Sequence, residues 1–278
     1  QGTGAPTHPR SDVVRRAVTA APWLLTLAGI GASVWLATHR PAPRVTRQRT
    51  VLWQHPIAAG TLGITLAIAP DGNTIVYVDS VGGTAQLWAK ERDRLDATAL
   101  AGTTGALGPV FSPDGEWIAF VADGKVKRVP RLGGSAITVA DSANVVGPAV
   151  AWLDDGTILF NNPSWSLQAI SVDSGAPRRV FRADSTARYI VSASALPGGR
   201  GALIIACTKE CQQSDLRVLD LRSGTVRILT DEVMKAWYLP GGLVVFVRRD
   251  GGVFRVSFDL DGLTFRAAPV PVFDGVRV

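Results

Sequence analysis

One unit returns every forty-odd residues through most of this chain, and it limits the possible folds more than any other feature. Ala69-Pro70-Asp71-Gly72 leads into NTIVY, and Ser112-Pro113-Asp114-Gly115 leads into EWIAF. Weaker copies are Leu153-Asp154-Asp155-Gly156 before TILF, Leu196-Pro197-Gly198-Gly199 before RGALII, and Leu239-Pro240-Gly241-Gly242 before LVVF. Their last glycines, Gly72, Gly115, Gly156, Gly199 and Gly242, stand 43, 41, 43 and 43 residues apart. A period near 40–45 residues filled with short β-rich runs is that of a propeller blade.

Each period has room for four strands. In the second unit they are expected at residues 108–111, 116–121, 125–130 and 136–141. Pro-Asp-Gly supplies the tight turn between the first two, because proline presets φ and glycine accepts the positive φ that other residues resist. First strands carry small or apolar residues, as the crowded centre of a ring demands. The expected fold is therefore all-β, a propeller of four-stranded blades over residues 51–278. Five visible units fit a six-bladed ring as well as a short or open one. Residues 46–53 are candidates for the outer strand of a closing blade.

Charge places a different kind of segment ahead of the blades. Residues 1–50 hold seven arginines and one acid, whereas the remainder balances basic and acidic side chains. A nucleic-acid-binding domain concentrates positive charge on its folded part, so nucleic acid is not an expected partner. The excess instead flanks residues 17–38, an uncharged apolar run. As a helix this run would extend about 33 Å, enough for a hydrocarbon core of about 30 Å. Trp23 and Trp35 near its ends suit the two interfaces, with Arg15 and Arg16 before it and Arg40 after it. Residues 1–16 are then a tail and 39–50 a basic linker. Ala28, Gly29, Ala32 and Ser33 form a small-residue face suited to close packing against another helix in the bilayer. A secretory signal peptide is the rival reading, and the run is long for one. Charge does not orient the segment, since arginines stand on both sides.

The motif FSPDGEWIAF, with VLDLRSGTVRIL downstream, resembles the TolB-type propeller repeat of bacterial periplasmic proteins. The order of basic segment, single membrane helix, Arg/Pro linker and propeller resembles the C-terminal half of bacterial receptor-type serine/threonine kinases. That resemblance covers roughly residues 15–278 and lacks any kinase domain, so kinase activity is not carried over. It implies a single-pass protein of the bacterial inner membrane, with residues 1–16 cytoplasmic and the propeller periplasmic.

Catalytic chemistry finds little material. The three histidines are His8, His39 and His55, only the last within the expected propeller, and no Gly-x-Ser-x-Gly elbow occurs. Aspartates recur beside turn glycines, where turn preference accounts for them, and no Asp-x-Asp-x-Asp calcium loop is present. No metal, cofactor or catalytic residue is expected. Cys207 and Cys211 are spaced to close a small disulfide, with two free thiols as the alternative. Trp117 and Trp152 are expected in the core. Trp165, in the loop 161–168, and Arg178, Arg179 and Arg188, in 178–188, are candidate partner contacts on the propeller rim.

These readings converge on a non-catalytic accessory subunit, whose partners are the lipid bilayer and the protein subunits of a larger bacterial membrane complex. Photosynthetic reaction-centre and antenna complexes rank ahead of respiratory ones on plausibility alone. A periplasmic sensor or ligand-binding propeller of a receptor-kinase system is the alternative.

Overall fold

The computed structural model describes Gly2 and residues 66–173, 175–182, 188–208 and 211–275. Apart from Gly2, these belong to the compact unit Trp53–Val278. They form five antiparallel sheets, each a meander in sequence order. Blade 1 comprises β1 (Leu66–Ile68), β2 (Thr74–Val81), β3 (Thr84–Glu91) and β4 (Thr98–Ala99). Blade 2 comprises β5 (Leu107–Phe111), β6 (Trp117–Ala122), β7 (Lys125–Pro130) and β8 (Ile137–Asp141). Blade 3 follows with β9 (Val150–Trp152), β10 (Thr157–Asn161), β11 (Leu167–Ser171) and β12 (Arg178–Phe181). Blade 4 contains β13 (Tyr189–Leu196), β14 (Gly201–Thr208), β15 (Gln213–Asp220) and β16 (Val226–Asp231).

Blade 5 departs from the four-strand rule. It is built from β17 (Val233–Leu239), β18 (Leu243–Arg248) and β19 (Val253–Asp259), and its outer edge is shared. There β20 (Thr264–Phe265) pairs with Phe258 and Asp259, while β21 (Val270–Phe273) pairs with Val253 to Arg255. The expectation that residues 46–53 supply a closing outer strand lies outside the described residues.

Side chains alternate between the two surfaces of a strand, and in blades 2 to 4 both surfaces are covered by neighbouring blades. In β6, Ile118, Phe120 and Ala122 pack with Val76, Val78 and Leu87 of blade 1. The intervening Ala119 and Val121 pack with Val150, Trp152 and Ile158 of blade 3. The same arrangement joins Leu159 and Leu167 to Ile190 and Ile204, and Leu203 and Ile205 to Val244 and Phe246. Middle strands therefore read as near-continuous apolar runs, as two-sided burial requires. The side chain of Trp152 is buried as expected, whereas Trp117 is half-buried beneath the Arg128 guanidinium, 4.8 Å from the ring centre.

A meander places alternate turns at opposite ends of the blades. The turns between first and second strands define what we call the aspartate end. Gly72, Gly115, Gly156, Gly199 and Gly242 all have φ between 61° and 79° there, the left-handed region that the repeat anticipates. Asp71, Asp114 and Asp155 each accept a backbone N–H two residues on, from Asn73, Glu116 and Thr157 at 2.8, 3.0 and 2.9 Å. These bonds hold the Asp71 carboxyl below the ordinary carboxylate range, and Asp114 is held low first by the Ser112 hydroxyl.

The same end is laced from blade to blade. Arg131 of blade 2 reaches Asp71 at 2.9 Å and the Thr74 hydroxyl of blade 1. The Gly198 N–H of blade 4 donates to Asp154 of blade 3 at 2.6 Å. Arg227 of blade 4 donates to the Gly262 carbonyl of blade 5 at 2.9 Å.

At the opposite end the main tie is a buried amide. Asn161 is 1% exposed, and its Oδ1 accepts the Ala149 N–H at 2.9 Å. Its Nδ2 donates to the carbonyls of Gly147 and Ile190, both at 2.8 Å. One side chain thus fixes the connection entering blade 3 and the first strand of blade 4. Asn161→Leu would leave those three backbone groups unpaired in the interior, and should lower the unfolding free energy by about 3 kcal/mol. Ser164→Ala, on the exposed turn nearby, should cost less than about 0.5 kcal/mol. Chemical denaturation of the two variants beside the parent checks both figures.

A second prediction concerns Lys235, half-buried on the side of β17 shared with Trp237 and opposite Val247 in the register. Burial pushes its ammonium down from 10.5 to about 7. Between those values the unfolded chain holds a proton that the folded chain has released, so stability from this group rises with pH across that window. Lys235→Met should therefore raise the unfolding midpoint more at pH 6 than at pH 9. An equal gain at both pH values would contradict the burial account.

Candidate functional site

The far end of the blades, opposite the aspartates, gathers the turns between second and third strands and the connections between blades. The turn after β10 is shaped by Asn162. Its Oδ1 accepts the Ser164 hydroxyl at 2.8 Å and the Ser166 N–H at 3.1 Å, while its carbonyl accepts the Trp165 N–H at 2.8 Å. Trp165 is held at φ 59°, a conformation uncommon for a bulky residue. Its indole meets the Tyr189 ring edge-on, with centroids 5.0 Å apart and planes at 81°. The Arg188 guanidinium covers the same tyrosine at 5.4 Å. Blade 3 and the entry to blade 4 thus join in a half-buried aromatic patch with an exposed cation at its border.

Arg188 also borders a cleft of about 820 Å³ that runs along blade 4 to the turns of blade 5. Asp215 and Asp231 face each other across β15 and β16, a like-charge pairing that would be unfavourable alone. Arg217, 6% exposed, resolves it with a two-pronged bond to Asp215 at 2.6 and 2.8 Å. Asp231, Glu232, Gln212, Gln213 and Arg249 are among the cleft's other polar lining residues. Cys207 and Cys211 are joined as a disulfide at the tip of the β14–β15 hairpin, with Cα atoms 4.8 Å apart. Arg249 of blade 5 donates to the Cys211 carbonyl across this cleft.

The surface candidates named from the sequence thus have different places. Trp165 and Arg188 come together around Tyr189. Arg178 and Arg179 stand exposed on β12, the outer strand of blade 3, paired with Ala169 and Gln168. Of the expected loop 161–168, only residues 162–165 form the surface turn. Asn161, Ser166 and Leu167 are buried, because the amide and the strand start are needed for inter-blade packing. Ala28, Gly29, Ala32, Ser33, Trp23, Trp35, Arg15, Arg16 and Arg40 lie outside the described residues, as does the expected helix 17–38. Among the described residues, no helix is long and apolar enough to cross a membrane.

Tyr189, Arg249 and Glu232 are members of this surface that sequence reasoning misses. Arg188 stands next to Tyr189 in the sequence and the Cys207/Cys211 spacing marks one wall of the cleft, but neither identifies Arg249 or Glu232. Among the described residues there is no histidine and no group of three or more His, Cys, Asp or Glu side chains arranged to hold a metal. The far end offers aromatic surface, amides and charges of both signs, which is the chemistry of recognition.

No family model and no curated protein matches this chain. Solved structures do. TolB from Acinetobacter baumannii is 18% identical with a TM-score of 0.59, over 77% of this chain and 55% of that one. The chain thus spans little more than half of that protein's length. The putative TolB from Agrobacterium tumefaciens is 19% identical with a TM-score of 0.58, over 76% of this chain and 80% of that one. A chain in the Nidogen/Laminin complex is 11% identical with a TM-score of 0.56, over 73% and 78% of the two chains. At such identities the likeness is one of architecture, and the described part of this chain is a five-bladed β-propeller with the fold of the TolB-type proteins.

Proposed function

We propose that this protein is a non-catalytic, single-span accessory subunit of a bacterial membrane complex, whose periplasmic propeller contacts partner proteins through its far end. The observation that carries the reading is the joined surface of Trp165, Tyr189 and Arg188 with the mixed-charge cleft beside it. Aromatic and arginine side chains supply most of the binding energy at protein interfaces, and an amide-rich border suits their rim. The aspartate end is a poorer candidate, since many of its charged groups already bind neighbouring blades. One chain of similar fold comes from a protein–protein assembly, the Nidogen/Laminin complex. Balanced charge over residues 51–278 favours short-range complementarity over long-range steering.

The membrane anchor and its small-residue face supply the second attachment in this proposal. A photosynthetic host stands ahead of a respiratory one only on plausibility. The volume of the cleft favours one other reading, a sensor that takes up a small periplasmic solute.

The test compares membranes carrying the parent chain with membranes carrying Trp165→Ala/Arg188→Ala, each solubilised in mild detergent. The double variant should lose the proteins that co-migrate with the parent by tenfold or more, while its unfolding midpoint stays within a few degrees. Unchanged co-migration would overturn the contact surface. Saturable binding of a small solute to the isolated chain, with no co-migrating protein, would favour the sensor.

A further inference from the structure

We propose that the Cys207–Cys211 disulfide is a redox control on the far-end cleft, so that the surface assigned above to partner contact exists in a clamped, oxidised form and a loosened, reduced form. The inference rests on that contact reading for its consequence, but the clamp itself is a property of this chain alone.

Four observations carry it. The bond closes a loop of only five residues, and small loops contribute least to global stability. Its effect is therefore local. Cys211 sits at φ 62°, in the left-handed region that a residue with a Cβ rarely adopts, so something must hold it there. Two things do: the covalent bond to buried Cys207, and the Arg249 guanidinium on the Cys211 carbonyl. Finally, a ladder of backbone bonds ties this hairpin to blade 5. The Glu232 N–H donates to Ser214 at 2.7 Å, and the Arg249 N–H donates to Glu232 at 2.9 Å. Cys207, Gln212, Gln213, Glu232 and Arg249 all line the cleft, so the position of its wall is coupled to the bond.

The chemistry is thiol–disulfide exchange with a dithiol reductant. Its thiolate attacks the sulfur of half-buried Cys211, the Cys207 sulfur leaves and takes up a proton, and a mixed disulfide forms. The second thiol of the reductant displaces the Cys211 sulfur, and the reductant departs as a disulfide. Two electrons and two protons have then passed to the protein, which holds two thiols. Cys211 is free to return to negative φ, its carbonyl turns from Arg249, and the guanidinium is released into the cleft.

Hydrogen exchange read by mass spectrometry tests this on the full chain, oxidised and after dithiothreitol, with thiols counted by alkylation. Reduction should speed exchange tenfold or more at the Glu232 and Arg249 amides, and leave the Gly115 and Trp117 amides of blade 2 unchanged. Cys207→Ser/Cys211→Ser should match the reduced form and ignore dithiothreitol. Oxidised Arg249→Ala, which lacks the tie to the Cys211 carbonyl, should speed exchange at the Glu232 amide and leave the Gly115 and Trp117 amides unchanged. Unchanged exchange after verified reduction would overturn the proposal, as would faster exchange in all blades, which would make the bond a global staple. None of these readings needs a partner, so the clamp and the contact surface can fail independently.

Discussion

A blade with apolar side chains on both surfaces cannot stand alone, and every other feature of this molecule follows from that dependence. Ile118 and Phe120 need blade 1, while Ala119 and Val121 from the same strand need blade 3. Stability is built from such neighbour contacts, as in other repeat architectures. Where that cover is thinner, on the outward sides of the first and last blades, Ile68 and Trp237 remain 59% and 40% exposed. Because the strand surfaces are committed to packing, distinctive chemistry is confined to the two ends where the turns emerge.

The two ends have diverged. At the aspartate end, Asp71, Asp114, Asp154 and Asp155 serve their own turn or a neighbouring blade. Asp71 does both, accepting the Asn73 N–H and the Arg131 guanidinium. Such groups favour a fixed register between blades and leave little for a ligand. At the far end, Asn161 concentrates comparable work in one buried amide. That economy leaves the surrounding turns free to carry Trp165, Arg188 and the disulfide hairpin.

Legibility in the sequence follows the same division. The Pro-Asp-Gly units are readable because proline, aspartate and glycine each act on their own few residues of backbone. Their spacing predicts the strand order and the four-stranded blades, and the structure has that order throughout and four-stranded sheets in blades 1 to 4. Blade 5 is less legible, since splitting its outer edge between Thr264–Phe265 and Val270–Phe273 depends on pairing along β19. Asn161 reads as a surface amide because its three partners come from residues 12 to 29 positions away. Trp165 stands out by its loop setting, but Tyr189 and Arg249 do not, as only folding brings them beside it and beside Cys211. Local turn chemistry is written in neighbouring residues. A surface assembled from three blades is not.

The account turns on which end of the propeller meets other proteins, and site-specific photocrosslinking in native membranes addresses this directly. A photoreactive amino acid at position 165 or 188 samples the far end, and one at position 93 or 222 samples the aspartate end. We expect protein adducts from 165 and 188, and only background from 93 and 222. Adducts confined to 93 and 222, or equal yields from all four positions, would contradict the assignment of the far end as the contact surface.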